Sequence, residues 1–338
     1  MHMADALITP LVGGAMFIAS AKVGSHSINK IKSQLDDSKI PLMGVMGAFV
    51  FATQMINFSI PGTGSSGHLG GGMLLAAILG PYAGFLAMAA ILTIQALFFA
   101  DGGLLALGCN IFNLGFYTCF IAYPFVYKRI LKKGYSTPRI IGASILASIV
   151  GLQLGAFSVV VQTMLSGKIE LSFTTFLLLM QFIHLAIGIV EGLVTAAVIN
   201  FLWKARPELM EGSGAAGNIG YRVSFNRILT LLIIAALVIG GVVSLVASGN
   251  PDGLEWSLYN SLRRVELMSE GGLDQILAEL QNKLAILPDY SFKSKAGASE
   301  QAGTSVSGVI GAAITLLLAA GVGMFIKAMN RKQKKNNA

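Results

Sequence analysis

Residues 68–100 read HLGGGMLLAAILGPYAGFLAMAAILTIQALFFA, and this stretch decides the fold class. It contains no Asp, Glu, Lys or Arg, and Pro81 divides it into two apolar segments. A helix needs roughly 20 apolar residues to cross a hydrocarbon core, so the segment after Pro81 is long enough to span a membrane. The segment before Pro81, residues 68–80, extends only about 20 Å as a helix and is too short to span alone. We expect it to be either a short helix that starts deep in the protein or a re-entrant segment.

The composition of the whole chain agrees with this stretch. Hydrophobic residues make up 54% of the 338 residues and charged residues 12%, whereas soluble proteins carry about 25% charged residues. We therefore predict an all-α polytopic membrane protein whose surroundings are the lipid bilayer. The net charge of +8 does not indicate a nucleic-acid partner, because the basic residues lie in short loops and in the tail.

Nine apolar stretches can be read from the sequence, and the third is the short one before Pro81. They lie near 8–29, 40–57, 68–80, 82–100, 104–127, 140–165, 173–203, 228–248 and 304–327. Non-helical backbone at membrane depth is tolerated only where protein buries it or where it lines a cavity. The polar run at 59–67, which precedes the short stretch, is therefore a candidate binding loop.

The basic residues predict how these stretches are oriented. If all nine cross from an outer N-terminus, the cytoplasmic segments hold 17 of the 24 basic residues. These segments are 30–39, 128–139, 204–227 and 327–338, and the outer segments 58–67 and 101–103 hold no basic residue. This positive-inside pattern predicts that the N-terminus is outside and the C-terminus inside.

We interpret the chain as two membrane components joined by a linker. Residues 1–205 form a seven-helix component, and residues 206–227 form a glycine-rich cytoplasmic linker. Residues 228–338 form a two-helix hairpin whose outer loop, 249–303, makes an extracytoplasmic lobe. Leucines and isoleucines at helical spacing between positions 273 and 287 predict an amphipathic helix within that lobe.

The first two residues, Met1 and His2, form a candidate metal chelate. The α-amine of Met1, the backbone nitrogen of His2 and the His2 imidazole can occupy three corners of a square. His68, in a glycine-rich run, can supply the fourth nitrogen. The candidate ligands are therefore Met1, His2 and His68. Square-planar coordination by nitrogen favours Ni(II) or Cu(II). The chelate requires that the N-terminus is not cleaved, and the absence of Lys or Arg before the first apolar stretch argues against a signal peptide.

His184 and Glu191 form a second candidate pair, because their spacing places them on one face of the seventh stretch. Hydrogen bonding between helices is the plainest explanation of both residues. A membrane-embedded enzyme and a passive metal channel that use this pair are the alternatives to a metal-capture protein. The sequence has no Walker A motif, so active transport would need ATPase partners.

Two regions of the sequence resemble a known family. Met1-His2-Met3-Ala4-Asp5-Ala6-Leu7-Ile8 and Ser66-Gly67-His68-Leu69-Gly70-Gly71 resemble motifs of the CbiM/NikM substrate-binding proteins. These proteins are the S components of energy-coupling-factor (ECF) transporters for cobalt and nickel. Pro251-Asp252-Gly253-Leu254-Glu255, followed by Leu287-Pro288-Asp289-Tyr290, resembles the small NikN/CbiN subunit with its PDGLE motif. The order of the two regions is that of a fused protein.

The resemblance implies a seven-helix S component whose outer N-terminus folds back into the bundle and binds metal through Met1, His2 and His68. It also implies separate ECF ATPase subunits and a transmembrane coupling (T) subunit in the cytoplasmic membrane of a bacterium or archaeon. The metal is then a transported substrate, Ni(II) or Co(II), and no resident cofactor is expected. The square of nitrogens favours Ni(II), but the sequence leaves the choice between the two metals open.

Overall fold

The computed structural model describes residues 2–32, 39–168, 171–210, 223–261, 272–293 and 300–336. Most of these residues are helical. The main helices are α1 (Pro10–Lys32), α2 (Lys39–Gln54), α3 (Gly72–Leu79), α4 (Pro81–Phe99), α5 (Leu107–Leu131), α6 (Thr137–Ser166), α7 (Phe173–Ala205), α8 (Phe225–Gly241), α9 (Gly253–Ser261), α10 (Leu273–Leu284) and α11 (Glu300–Asn336). Two short antiparallel strands, β1 (Phe58–Ile60) and β2 (Ser65–Gly67), form a hairpin between α2 and α3. Short 3-10 turns lie at Asp5–Leu7, Pro207–Leu209, Val243–Val246 and Pro288–Tyr290.

Within the described residues, 6 helices are long and apolar enough to cross a membrane. These spans are Pro81–Phe99, Leu107–Leu131, Thr137–Ser166, Phe173–Ala205, Phe225–Val246 and Gln301–Asn330. The prediction of a mostly helical, multi-pass membrane protein is therefore confirmed. Helix α2 is apolar but shorter, and α1 is long but carries more polar residues. The count of seven helices in the first component and the orientation of the chain remain predictions.

The short apolar stretch before Pro81, predicted to be either a short helix or a re-entrant segment, contains the short helix α3. It has 8 residues, all of them buried, and so extends about 12 Å. The residue before it, Gly71, has a φ of 77°, and a Cβ there would lie 2.3 Å from Val50 Cγ1. Glycine is therefore required at this position, both for the left-handed backbone and for the close approach. Residues 68–71 consequently run as non-helical backbone inside the protein, which is what brings His68 into the interior.

Helix α5 widens into π-helical turns over Phe112–Tyr127. Pro124, which lies inside this segment, has no N–H to donate and interrupts the regular hydrogen bonding. The N-terminal end of the same helix is α-helical over Leu107–Ile111 and carries Asn110. The Asn110 side chain is hydrogen-bonded to the backbone of Met3 near the start of the chain.

The second component packs against the first along α2. A Cβ on Gly44 of α2 would lie 2.8 Å from the backbone oxygen of Leu316 in α11, so the two backbones are in close contact. Helices α8 and α11 approach equally closely at Gly240 and Gly308, as membrane helices do where small residues meet. The amphipathic helix predicted in the outer loop is confirmed as α10. Residues 211–222 of the predicted linker lie outside the described residues, and the predicted domain boundaries remain predictions.

Candidate metal centre

The start of the chain is inserted between the helices rather than lying on the surface. Met3 is fully buried, its amide donates to Asn110 Oδ1 at 2.8 Å, and its carbonyl accepts from Asn110 Nδ2 at 3.2 Å. The Gly103 amide donates to the same Met3 carbonyl at 2.9 Å. Since both backbone groups of Met3 are satisfied by the α4–α5 region, the neighbouring residue His2 is held at a defined depth.

The 3-10 turn at Asp5–Leu7 holds the segment at a second point. Asp5 Oδ1 accepts from the Ala106 amide at 3.0 Å, and burial raises the pKa of this carboxyl group. A Cβ on Gly103 would lie 1.7 Å from the same oxygen, so the α4–α5 loop and the turn fit together only with glycine at that position. Leu7 and Ile8 are also buried, which adds apolar contacts to the polar ones.

His68 reaches the same place from the opposite side. It follows β2, whose last residue, Gly67, pairs with Phe58 and would contact Ile187 Cγ1 at 2.5 Å if it carried a Cβ. The imidazole rings of His2 and His68 are stacked, with centroids 5.1 Å apart and an angle of 21° between the planes. The structure thus brings together these two of the three predicted ligands. The third, Met1, lies outside the described residues.

The hydrogen bonds of the two rings determine which nitrogen atoms are available. His68 Nδ1 lies 3.1 Å from the Leu69 carbonyl, and a carbonyl can only accept. Nδ1 therefore carries the proton, and His68 Nε2 has a free lone pair. His2 Nε2 lies 3.1 Å from Gln95 Oε1, while His2 Nδ1 lies 3.6 Å from Asp101 Oδ1, too far for a hydrogen bond.

Burial keeps both imidazoles neutral. It lowers the pKa of His2 to about 3 and the pKa of His68 to about 4. A metal ligand must be a neutral imidazole, so neither ring has to lose a proton before it can coordinate. Burial also raises the pKa of Asp101, which accepts a hydrogen bond from the Tyr290 hydroxyl at 2.5 Å.

The segment that contains the PDGLE motif is hydrogen-bonded to the hairpin that precedes His68. The Ser66 amide donates to the Pro251 carbonyl at 2.8 Å, and Trp256 Nε1 donates to the Thr63 carbonyl at 2.9 Å. Gly253 packs against α7, where a Cβ would lie 2.5 Å from Ile183 Cγ2. The PDGLE segment thus holds the loop that positions His68.

A cavity of about 320 Å³ lies beside the two histidines. Residues of both components line it, and four of them are acidic: Asp101, Asp252, Glu255 and Asp289. Carboxylates in a partly enclosed cavity raise the local concentration of cations. This cavity therefore gives a cation an approach to His2 and His68.

His184 and Glu191 lie near the same centre rather than forming a separate one. His184 Nδ1 donates to the Met180 carbonyl at 2.7 Å, and the ring lines a small cavity, shared with His68, that has room for about one water molecule. Glu191 Oε2 accepts from the Gly70 amide at 2.7 Å. Glu191 thus anchors the glycine-rich segment after His68, whereas the hydrogen bond of His184 to Met180 lies within α7.

Several residues of the centre were missed from the sequence. Gln54 and Gln95 are buried and hydrogen-bonded to each other, and Asp101 and Asn110 contact the N-terminal segment. Buried polar residues within apolar helices are a functional signal, and the two glutamines carry that signal in the sequence. Among the described residues, no three His, Cys, Asp or Glu side chains form a metal-binding group.

Two family models match the chain. The model CbiM, described as "Cobalt uptake substrate-specific transmembrane region", matches residues 2–209. The model of the PDGLE domain matches residues 226–328. His2, His68 and the residues that hold them in α2, α4 and α5 all fall within the first match.

Similar proteins and structures cover most of the chain or its first component. A protein of Archaeoglobus fulgidus is 33% identical over 321 residues, which cover 94% of this chain and 96% of that protein. The "Fused nickel transport protein NikMN" of Rhodobacter capsulatus is 31% identical over 277 residues, 76% of this chain and 75% of its own length. The "Cobalt transport protein CbiM" of Geobacter sulfurreducens is 28% identical over 258 residues, 71% and 72% of the two chains. The solved structure "Crystal Structure of an transition metal transporter" has a TM-score of 0.54 and 30% identity, and the match covers 60% of this chain and 93% of that one.

Proposed function

Since this chain belongs to the CbiM family of cobalt uptake transmembrane proteins and continues into a PDGLE domain, we propose that it captures Ni(II) for uptake across the cytoplasmic membrane. It is a multi-pass membrane protein of metal transport.

The ligands are four nitrogens at the corners of a square. The α-amine of Met1, the backbone nitrogen of His2 and His2 Nδ1 come from one end of the chain, and His68 Nε2 completes the set. The observation that carries this proposal is the stacking of the two imidazole rings at 5.1 Å, although 65 residues separate them in the sequence. Each ring has one nitrogen that is not engaged in a hydrogen bond with the groups described above.

Nickel is the cargo that best fits this ligand set. Four nitrogens in a plane, one of them a deprotonated amide, suit Ni(II), and Cu(II) should also bind in vitro. Co(II) has a weaker preference for square-planar geometry. The Rhodobacter capsulatus relative is named as a nickel transport protein, which supports the same choice.

The capture step follows from the surroundings of the two histidines. A hydrated cation enters the acidic cavity, exchanges its water for nitrogen ligands, and displaces protons from the amine and the His2 amide. Both imidazoles are already neutral, so they contribute no protons. The PDGLE segment keeps the hairpin before His68 in place during this exchange.

The orientation and the partners complete the proposal. The N-terminus lies outside, seven helices form the first component, and the two-helix hairpin returns the C-terminus to the cytoplasm, as the basic residues favour. Separate ECF ATPase subunits hydrolyse ATP, and a transmembrane coupling subunit transmits the resulting movement. This chain is then a transporter subunit and not an enzyme.

Four variants and the unchanged protein test the metal site. We expect His2→Ala and His68→Ala to lose tight Ni(II) binding and uptake. One residue added before Met1 keeps every side chain but destroys the amine chelate, and should have the same effect. His26→Ala is the matched control, because His26 is exposed on α1 and contacts Tyr82 instead.

The intact mass of the purified protein shows whether Met1 is retained and unmodified. Normal Ni(II) affinity in the extended protein would contradict the chelate. If the extension alone is harmless while His2→Ala abolishes binding, the imidazole binds metal without the amine. If none of these changes affects binding, the metal site lies elsewhere.

A further inference from the structure

We propose that Gln54 and Gln95 are positioning residues that fix the tautomer of the His2 ring. They place its one proton on Nε2, so that His2 Nδ1 is free for the metal. This inference rests on the proposed function, since it concerns the same chelate. Neither glutamine is a proposed metal ligand. Both are buried inside apolar helices, Gln54 at the end of α2 and Gln95 in α4.

The direction of each hydrogen bond can be assigned from the Gly70 carbonyl, because a carbonyl can only accept. Gln54 Nε2 donates to the carbonyl oxygen of Gly70 at 2.7 Å. A carbonyl has no proton to give, so the amide nitrogen of Gln54 must face Gly70. The Gln54 side-chain oxygen consequently faces Gln95.

The next two bonds follow from the first. Gln95 Nε2 donates to Gln54 Oε1 at 2.8 Å, so the oxygen of Gln95 must face His2. That oxygen lies 3.1 Å from His2 Nε2, which therefore donates and carries the ring proton. A neutral imidazole has one N–H, so Nδ1 of His2 holds a lone pair.

This protonation is the one that the chelate requires. From the backbone nitrogen of His2, only Nδ1 of the same residue can close a small ring around a metal, because Nε2 lies on the far side of the imidazole. A proton on Nδ1 would block the chelate and leave the wrong nitrogen free. The second partner of a metal-binding histidine commonly fixes its tautomer in this way.

The chain of hydrogen bonds from Gly70 through Gln54 and Gln95 to His2, called the relay below, links the two segments that carry histidines. Gly70 lies two residues after His68, and its carbonyl orients Gln54, while its amide donates to Glu191 Oε2 at 2.7 Å. The position of the His68 segment thus determines, through the side chains of Gln54 and Gln95, which ring nitrogen of His2 carries the proton. Asp101 does not compete for the ring proton at its 3.6 Å distance from Nδ1.

The test compares Gln54→Leu with Gln153→Leu in the full-length protein purified in detergent. Gln54→Leu removes the anchor without touching His2, and leaves the Gln95 amide free to turn. Gln153→Leu is the matched control, because Gln153 bonds to the Gln181 carbonyl, away from this relay. The readouts are the 15N spectrum of labelled histidine without metal, and Ni(II) affinity with the visible absorption band of the square-planar complex.

We expect Gln54→Leu to populate the Nδ1–H form of His2 and to weaken Ni(II) binding by about 10- to 100-fold, as removal of such outer partners typically does. Gln153→Leu should keep the wild-type spectrum and affinity. Adding Gln95→Glu to Gln54→Leu should restore both, because a carboxylate accepts from His2 Nε2–H whichever way it turns.

Three outcomes would overturn the relay. They are a wild-type His2 spectrum in Gln54→Leu, wild-type affinity in that variant, or no recovery on adding Gln95→Glu to a protein that still elutes as a single folded species. The His2→Ala variant separates this failure from that of the proposed function. If His2→Ala abolishes binding while Gln54→Leu does not, the metal site stands and only the relay is wrong.

Discussion

Adding one methyl group at Gly103 should detach the N-terminal segment from its pocket. A Cβ at this position would lie 1.7 Å from Asp5 Oδ1 and 2.5 Å from the Asp5 backbone nitrogen. A side-chain oxygen can rotate away, but the backbone nitrogen cannot move without the segment. Gly103→Ala therefore forces the turn at Asp5–Leu7 outward, and His2 moves with it.

The size of the effect follows from the cost of overpacking. Inserting a methyl group into a closely packed site costs about 1–3 kcal/mol. If that cost falls on the docked segment, its docking equilibrium drops about 5- to 150-fold, and Ni(II) affinity falls by up to that factor. The helix bundle should remain folded, since the turn is a small part of the core.

The assay is Ni(II) titration of the purified protein, combined with its thermal unfolding. Gly142→Ala is the matched control, because a Cβ at Gly142 of α6 would meet no atom within 4 Å. Alanine is favoured over glycine within a helix, so this control should bind normally and unfold at the same or a higher temperature. Wild-type affinity in Gly103→Ala would refute the claim that docking of the segment sets metal capture.

Three further predictions concern the same centre. Asn110→Ala removes two hydrogen bonds to Met3. Because each bond contributes about 1 kcal/mol, Ni(II) affinity should fall about 10- to 30-fold in the same titration. The pKa values of about 3 for His2 and about 4 for His68 lie below that of free histidine, so both rings stay neutral as the pH falls from 7 to 5. Ni(II) binding should therefore weaken over this range with a slope of about two protons per metal, from the amine and the amide, and a slope of three or more would show that a ring is charged. Gly253→Val should displace the PDGLE segment and expose the hairpin before His68 to proteolysis, while an unchanged cleavage pattern would contradict this.

Much of the architecture could be predicted because it depends on local sequence. Lengths of apolar stretches determine which helices are long enough to cross a membrane. They also show that the stretch before Pro81 is too short to cross, although α3 has only 8 residues and begins four residues later than the stretch. The amphipathic helix α10 is likewise visible in the spacing of its leucines. Such patterns need no knowledge of which helices are neighbours.

The surroundings of His2 could not be predicted in the same way. Gln54 and Gln95 meet because α2 and α4 pack side by side, and 41 positions separate the two residues in the sequence. Asn110 reaches Met3 across 107 positions. Sequence patterns show only that these polar residues lie within apolar stretches, whereas their partners and the direction of each hydrogen bond depend on the relative placement of the helices.

The role of Glu191 shows how the alternatives can be separated on physical grounds. A carboxylate that served as an acid or base in a reaction would face a cavity large enough for a substrate. Glu191 is buried and its Oε2 accepts from the Gly70 amide, at the point where the backbone leaves His68 and turns into α3. The adjoining cavity, lined by His68 and His184, has room for about one water molecule. This geometry suits a carboxylate that holds backbone in place. The Gly70 amide thus donates to Glu191 and the Gly70 carbonyl accepts from Gln54, and these two bonds hold the segment that carries His68. A rigid set of nitrogens selects a metal by geometry, which is how a site can favour Ni(II) over ions that prefer other arrangements.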